Sequence, residues 1–322
     1  MVDFLYLFAG LVILVKSAGY LVSGAVSLSS KLGISSLVIG LTVVSFGTSM
    51  PEFLVTATAA LQDNADLAIA NVIGSNIANV LLVLGLSAMV RPLPIQDSTV
   101  VSEIPFSLTA ALLLGFLANA ALFSSTPELS ISRLDGIIML FFFVLFLIYV
   151  YKVAGEVSYR EEGIVELSRL RELAYILLGV VGLYIGGQLV ISGAVNVAQL
   201  LGVDDVVIGL TIIAVGTSAP ELVASIVAAK KGYTDVAVGN VVGSNIFNIL
   251  WVIGATATIK ELPFEIVSNT DLTLVVGSSA LILVALVADR SYSINRWHGA
   301  LFVLLYLAYL VFVINRGMCA EC

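Results

Sequence analysis

The sequence predicts an all-α membrane protein of ten transmembrane helices, arranged as two inverted five-helix repeats. Three observations predict it. Of 322 residues, 60% are hydrophobic and only 11% are charged, with a mean hydropathy of +1.10. A soluble domain carries about 25% charged residues, so this chain has too few charges to cover a water-facing surface, and its solvent is lipid. Turn residues and charges divide the chain into ten apolar segments, each near the ~20 residues a helix needs to cross the hydrocarbon core. Finally, three blocks of the first half recur in the second half in one register.

In the first half the spans fall near residues 3–28, 34–61, 67–90, 102–123 and 132–152. In the second half they fall near 172–198, 203–229, 234–257, 271–288 and 296–315. The opening MVDFLYLFAGLVILVKSAG lacks the basic n-region and small-residue cleavage pattern of a signal peptide, so it reads as a retained first helix. Lys16 interrupts that helix, and its amine is expected to snorkel to the interface. The longest polar stretch, Lys152 to Glu172, is too short to fold alone. The expected division is repeat 1 at residues 1–152, a short cytoplasmic loop at 153–171 and repeat 2 at 172–322. Cys319 and Cys322 form CAEC on a tail with no second pair of ligands, so no functional metal site or disulfide framework is expected there. His298, at the start of the last span, is expected at the interface.

The repeats are legible residue by residue. LVSGAVSL (Leu21–Leu28) matches VISGAVNV (Val190–Val197), and GISSLVIGLTVVSFGTSMPE (Gly33–Glu52) matches GVDDVVIGLTIIAVGTSAPE (Gly202–Glu221). NVIGSNIANVL (Asn71–Leu81) matches NVVGSNIFNIL (Asn240–Leu250), and all three pairs share an offset of 169 without a gap. The matches include Gly, Thr, Ser, Pro, Glu and Asn, which shared apolarity does not produce. Five spans per repeat is odd, so the second repeat must enter the membrane from the opposite side, the arrangement of transporters whose site lies at the repeat interface. Loops after odd spans carry Lys31, Arg91, Lys152, Arg160, Arg169, Arg171, Lys230, Lys231, Arg290 and Arg296; the other side carries Arg133, Lys260 and Arg316. This bias places the central loop in the cytoplasm and both termini outside. The outer connections then hold Asp63, Asp66, Asp204 and Asp205.

Glu52 and Glu221 are carboxylates set deep in equivalent apolar spans. An ionisable residue at the centre of a membrane helix costs about 2.5–3.5 kcal/mol on the insertion scale, and such residues usually serve a pathway or a ligand. Each follows Gly-Thr-Ser-x-Pro, in which proline removes an N–H and clashes with the carbonyl four residues back. Carbonyls at about Ser45 to Thr48 and Ala214 to Thr217 are thereby freed to face a cavity, the only setting in which irregular backbone survives at membrane depth. Thr48 and Glu52 share one helix face, as do Thr217 and Glu221. Asn71, Ser75 and Asn79 form a polar stripe on the third span, and Asn240, Ser244 and Asn248 form its counterpart on the eighth. Small polar residues also glue membrane helices together, but two copies, each with its glutamate and each followed by NVxGSNIxN, favour a site. Asn76 and Asn245 sit about 100° around the helix from the neighbouring serines, where packing is as good a reading as ligation. The glycines of the sixth span, Gly179, Gly182, Gly186, Gly187 and Gly193, suit close and slidable packing. Every group of the cluster is a hard oxygen donor, which selects hard cations such as Ca²⁺ over Zn²⁺ or Cu²⁺. Two carboxylates neutralise one Ca²⁺, and without it they require monovalent cations or protons.

The doubled GTSxPE and NVxGSNIxN motifs in a ten-span duplicated chain resemble the sodium/calcium exchanger branch of the cation/calcium antiporter superfamily. The resemblance covers nearly the whole chain and implies a fold in which the first and sixth helices slide past a core of the other eight. It implies Ca²⁺ held by Glu52 and Glu221 with the backbone oxygens of Thr48 and Thr217. It implies Na⁺ positions made by those glutamates with Ser49, Ser75, Ser218 and Ser244 and by backbone oxygens near Ser45 and Ala214, with Asn79 and Asn248 lining the centre. Asn248 stands where potassium-dependent relatives have aspartate, which argues against K⁺ co-transport. Proton-coupled relatives carry GNxxE-type motifs, so GTSxPE favours Na⁺. The short central loop leaves no room for the large calcium-sensing domains of animal exchangers.

The expected function is therefore a secondary active antiporter that exchanges several Na⁺ for one Ca²⁺ at the cell membrane, and not an enzyme. No cofactor is expected beyond the transported ions. The bilayer is its environment, no obligate protein partner is implied, and the net charge of −8 disfavours nucleic acid. Two other readings remain at this level. An H⁺/Ca²⁺ antiporter would use the same glutamates, and a Ca²⁺-selective channel would ring its carboxylates around an oligomer axis, whereas here one chain supplies both. An intramembrane hydrolase lacks a base within the cluster.

Overall fold

The computed structural model describes residues 2–95, 102–123, 129–156, 166–201, 214–288 and 292–320. The apolar run after the N-terminus stays helical as α1 (Val2–Leu32), whose 31 residues span about 46 Å at 1.5 Å per residue. The second span is broken. α2 (Ser36–Thr48) and α3 (Met50–Leu61) meet at 44° because Ser49, at φ −85° and ψ 4°, departs from helical backbone dihedrals. Pro51 enters the first turn of α3, where its missing N–H is tolerated, but it leaves the Gly47 carbonyl without its usual donor. The third span is α4 (Ala65–Val90). α5 (Glu103–Ala118) and α6 (Arg133–Glu156) complete the first half.

The second half follows the same order. α7 (Arg169–Leu200) is continuous, α8 (Ala214–Thr217) and α9 (Ala219–Lys231) flank a break at Ser218 with φ −84° and ψ 5°, and α10 (Thr234–Ile259) is the long eighth span. α11 (Ser268–Ala288) and α12 (Arg296–Ala320) end the chain. The same Ser-x-Pro sequence thus makes the same break twice. Among the described residues, seven helices are long and apolar enough to cross a membrane, or eight when α2 and α3 count as one span. The predicted seventh span is described only from Ala214. Asp204, Asp205, Arg160, Arg290 and Cys322 lie outside the described residues, as does the middle of the predicted loop.

The fourth span is shorter than expected. α5 stops at Ala118 because the Asn119 amide turns back to the Gly115 carbonyl at 2.9 Å and exchanges two hydrogen bonds with Asn269, at 2.7 and 2.8 Å. Residues 120–123 form only a 3₁₀ turn. Three π turns were also not expected: Gly40–Val44 in α2, Asn79–Leu84 in α4 and Phe247–Ile253 in α10.

α1 and α7 run antiparallel along a glycine seam. A Cβ at Gly179 would lie 2.7 Å from the Leu21 main chain, and one at Gly186 would lie 2.9 Å from Leu14 N. Gly182 faces Ser17 and Gly193 faces Leu7, whereas Gly187 turns toward Pro220. Close approach of backbones is what small residues allow in a membrane, where apolar lipid gives helices little reason to associate. One end of this pair is tied by Lys31 and Ser27, both bonded to Glu172 at 2.8 and 2.7 Å. Lys16 is exposed on the outer face of α1. Lys260 pairs with Asp63 at 2.6 Å on an exposed connection.

Two short antiparallel strand pairs join the halves. β1 (Leu93–Pro94) follows α4, β2 (Ser130–Ile131) precedes α6, β3 (Leu262–Pro263) follows α10 and β4 (Ser293–Ile294) precedes α12. β1 pairs with β4 and β2 pairs with β3, so each half completes the other's ribbon.

Candidate cation-binding site

The two breaks and the two π turns converge. The turn around Asn79 packs on α9, which carries Glu221, and the turn around Asn248 packs on α3, which carries Glu52. Both glutamates are fully buried, as are Ser45, Thr48, Ser49, Ser244, Asn79 and Asn248; Ser75, Thr217 and Ser218 are buried to within 2%. Ala214 opens α8.

Two asparagines frame the site. Asn71 Nδ2 donates to the Glu52 carbonyl at 3.3 Å and to Thr56 Oγ1 at 3.0 Å. Asn240 repeats this with the Glu221 carbonyl at 3.4 Å and Ser225 Oγ at 2.9 Å. These bonds hold each glutamate-bearing helix to the span that follows it. Asn240 Oδ1 also accepts from Thr48 Oγ1 at 3.0 Å, which links the two halves. The roles of Thr56 and Ser225 were missed in the sequence, although each lies one turn beyond its glutamate on the same helix face. Asn76 Nδ2 returns to the Val72 carbonyl of its own helix at 2.7 Å.

The carboxylates differ in their surroundings. Glu221 Oε1 accepts from Ser49 Oγ at 3.0 Å and from Ser244 Oγ at 3.4 Å. Among the described residues, Glu221 Oε2 and both oxygens of Glu52 are buried with no hydrogen-bond partner, and so are Ser75 Oγ, Ser218 Oγ and both side-chain polar atoms of Asn79 and Asn248. Ser45 is engaged otherwise. Its hydroxyl donates to the Gly40 carbonyl at 2.7 Å, and its carbonyl accepts from Ser49 N–H at 2.9 Å and Thr48 Oγ1 at 3.3 Å. Unpaired buried charge costs several kcal/mol per ion, and buried polar groups in folded proteins are nearly always bonded. A concentration of orphaned oxygens around two carboxylates is what a cation would satisfy. Among the described residues no group of three or more His, Cys, Asp or Glu side chains is gathered at one place, so a cation here would depend on hydroxyl, amide and backbone oxygens beside the two carboxylates.

A family model described as sodium/calcium exchanger protein matches residues 2–152 and 172–315. The chain belongs to this family. Sodium/calcium exchanger MaX1 of Methanosarcina acetivorans is 31% identical to this exchanger-family chain over 96% of it and 98% of MaX1. Inner membrane protein YrbG of Escherichia coli is 40% identical over 79% of this chain and 78% of its own. A structure of the sodium-calcium exchanger NCX_Mj, soaked with 2.5 mM Na⁺ and 0.1 mM Ca²⁺, superposes with a TM-score of 0.79 at 32% identity, covering 97% of this chain and 98% of that one. Family and fold together support cation/Ca²⁺ antiport through a helical membrane protein, and the family is one of transporters rather than enzymes. The donor set of this family member fits such a cargo. Carboxylate, hydroxyl and amide oxygens bind hard cations in flexible geometry, and nothing in the cluster is soft.

Proposed function

We propose that this chain exchanges several Na⁺ for one Ca²⁺ across the cell membrane by alternating access, at one site shared between Glu52 and Glu221. The observation that carries the reading is the set of buried oxygens without partners on Glu52, Glu221, Ser75, Ser218, Asn79 and Asn248. In this reading Ca²⁺ takes both carboxylates and the backbone oxygens of Thr48 and Thr217. Na⁺ takes the glutamates with Ser49, Ser75, Ser218 and Ser244, and backbone oxygens at Ser45 and Ala214. A Na⁺ at the Ser45 carbonyl requires the Thr48 hydroxyl to turn wholly to Asn240, since that carbonyl already accepts two bonds. Asn79 and Asn248 line the centre between the two carboxylates.

Coupling is competition for the same charges. The full Ca²⁺ set and the full Na⁺ set cannot be bound together, and either neutralises the site so that it can change access. Bare carboxylates resist dehydration and stay where they are. We read the chain as ten spans in two inverted repeats, residues 1–152 and 172–322, with both termini outside and the loop of residues 153–171 in the cytoplasm. The antiparallel course of α1 and α7 and the exchanged strand pairs support this reading. The test is uptake of radioactive Ca²⁺ into proteoliposomes loaded with Na⁺, with choline or Na⁺ outside at clamped pH. Uptake that needs the outward Na⁺ gradient is the expected result. Uptake that ignores Na⁺ but follows a pH gradient would make protons the counter-ion and overturn the Na⁺ assignment.

A further inference from the structure

An aromatic cluster flanks the broken span that carries Glu52. Trp251 sits in the π turn of α10, three residues after Asn248. Its ring centroid lies 4.5 Å from that of Phe53 and 5.5 Å from that of Phe46. Phe46 belongs to α2 and Phe53 to α3, so Trp251 contacts the broken span on both sides of the break at Ser49. Phe247, in the same π turn, meets Phe46 at 6.1 Å edge-on and Phe143 of α6 at 4.9 Å, which anchors the cluster to the rest of the protein. Phe46 is 45% exposed, so the cluster lies along the outer flank of the site. The π turn matters because it adds a residue to the helix turn and re-aims the side chains around it, Asn248 and Trp251 included.

The internal duplication supplies a control. At the offset of 169, Phe46, Phe53, Phe247 and Trp251 correspond to Val215, Leu222, Ala78 and Leu82. The second broken span therefore has the same break and the same glutamate, and none of the four equivalent positions carries an aromatic ring. Glu52 is the less firmly held of the two carboxylates. Glu221 accepts hydrogen bonds from Ser49 and Ser244, whereas among the described residues the carboxyl of Glu52 has the Ser75 hydroxyl beside it but no side-chain bond within hydrogen-bond distance.

We infer that Trp251 is a positioning residue for cation binding: by packing its ring against Phe46 and Phe53 it fixes the bend at Ser49 and so the place of Glu52. This rests on the reading of Glu52 as a cation ligand. It acts on one limb of the site, and Glu221 is positioned by hydroxyls instead.

Trp251 is one of two tryptophans, the other being Trp297, 86% exposed at the start of α12. In Trp297→Phe protein the indole emission therefore reports on Trp251 alone. Adding Ca²⁺ to that protein in detergent should shift or quench the emission, and the added change Glu52→Gln should abolish the response. In proteoliposomes Trp251→Leu should raise the Ca²⁺ KM about tenfold, the scale of one or two lost aromatic pairs. Its maximal rate per folded molecule should be unchanged, and Trp251→Phe should restore KM to within about twofold because packing against Phe53 is kept. The inference is overturned if Trp251→Leu, monodisperse and fully helical, keeps the wild-type KM, or if the Trp297→Phe emission ignores Ca²⁺ while transport persists. It is equally overturned if Trp251→Leu lowers yield or thermal stability alone, since that is a packing role. Failure of the underlying reading looks different, because Glu52→Gln would then transport Ca²⁺ like wild type.

Discussion

Replacing Glu52 by Gln should make the protein more stable without cations and indifferent to them. Both Glu52 oxygens are buried and unpartnered, so in the cation-free protein that carboxylate carries an uncompensated desolvation cost of several kcal/mol. Gln removes the charge and keeps the shape. Glu221→Gln relieves less, because Ser49 and Ser244 lose an anionic acceptor. A hydrogen bond to a charged group is worth about 1.5–3 kcal/mol against about 1 for a neutral one. In chelator, the order of stability should be Glu52→Gln, then Glu221→Gln, then wild type. A cation at about a hundred times its Kd should stabilise wild type by about 2.7 kcal/mol, an upward shift of roughly 5 °C for a chain of this size. Neither variant should show that shift with Ca²⁺. The assay is thermal unfolding in detergent, in alkaline buffer, with chelator, Ca²⁺ or Na⁺ as the only variable. A Glu52→Gln protein whose melting rises with Ca²⁺ as far as wild type would refute the reasoning, because the charge would then not be what the ion compensates.

Two further outcomes follow from the packing and the polar frame. Gly179→Ala places a methyl 2.7 Å from the Leu21 main chain and should cost about 1–3 kcal/mol by overpacking; Gly277→Ala, which meets nothing within 4 Å, should be neutral or slightly stabilising in the same thermal assay. Asn240→Ala should destabilise more than Asn71→Ala, by roughly one hydrogen bond or about 1 kcal/mol, because among the described residues Asn240 in addition receives the Thr48 hydroxyl from the other half; double-mutant cycles with Thr48→Val would measure that bond directly.

Much of this site was legible because charge and proline are conspicuous in an apolar chain. Glu52 and Glu221 announce themselves by cost, and Pro51 and Pro220 announce the breaks by the bond they cannot make. The duplication then doubled each signal. What could not be read is whatever depends on backbone register. The π turns at Asn79 and Phe247 have no distinguishing composition, since the same apolar residues fill the regular helical turns around them, and both turns pack against elements of the other half. The inequality of the two glutamates was also hidden. Ser49 and Ser218 occupy equivalent letters, yet Ser49 Oγ bonds Glu221 while Ser218 Oγ has no partner among the described residues, a difference set by three-dimensional arrangement. The span expected over residues 102–123 contains Asn119, because one amide in an apolar run is tolerable; its exchange with Asn269, 150 residues away, accompanies the end of the helix at Ala118.

The exchanged strand pairs bear on how the protein is made. Leu93, Ile131, Leu262 and Ile294 are all buried within the two ribbons, and each ribbon takes one strand from either half. When the first half leaves the ribosome, β1 and β2 present open backbone edges whose mates have not been synthesised, and edges of that kind invite pairing with the wrong chain. Their brevity, two residues each, limits that hazard while the chain waits. Completion of the first half's fold is thus deferred to the arrival of the second, so a chain halted in the central loop is left with two unmatched edges and no native partner.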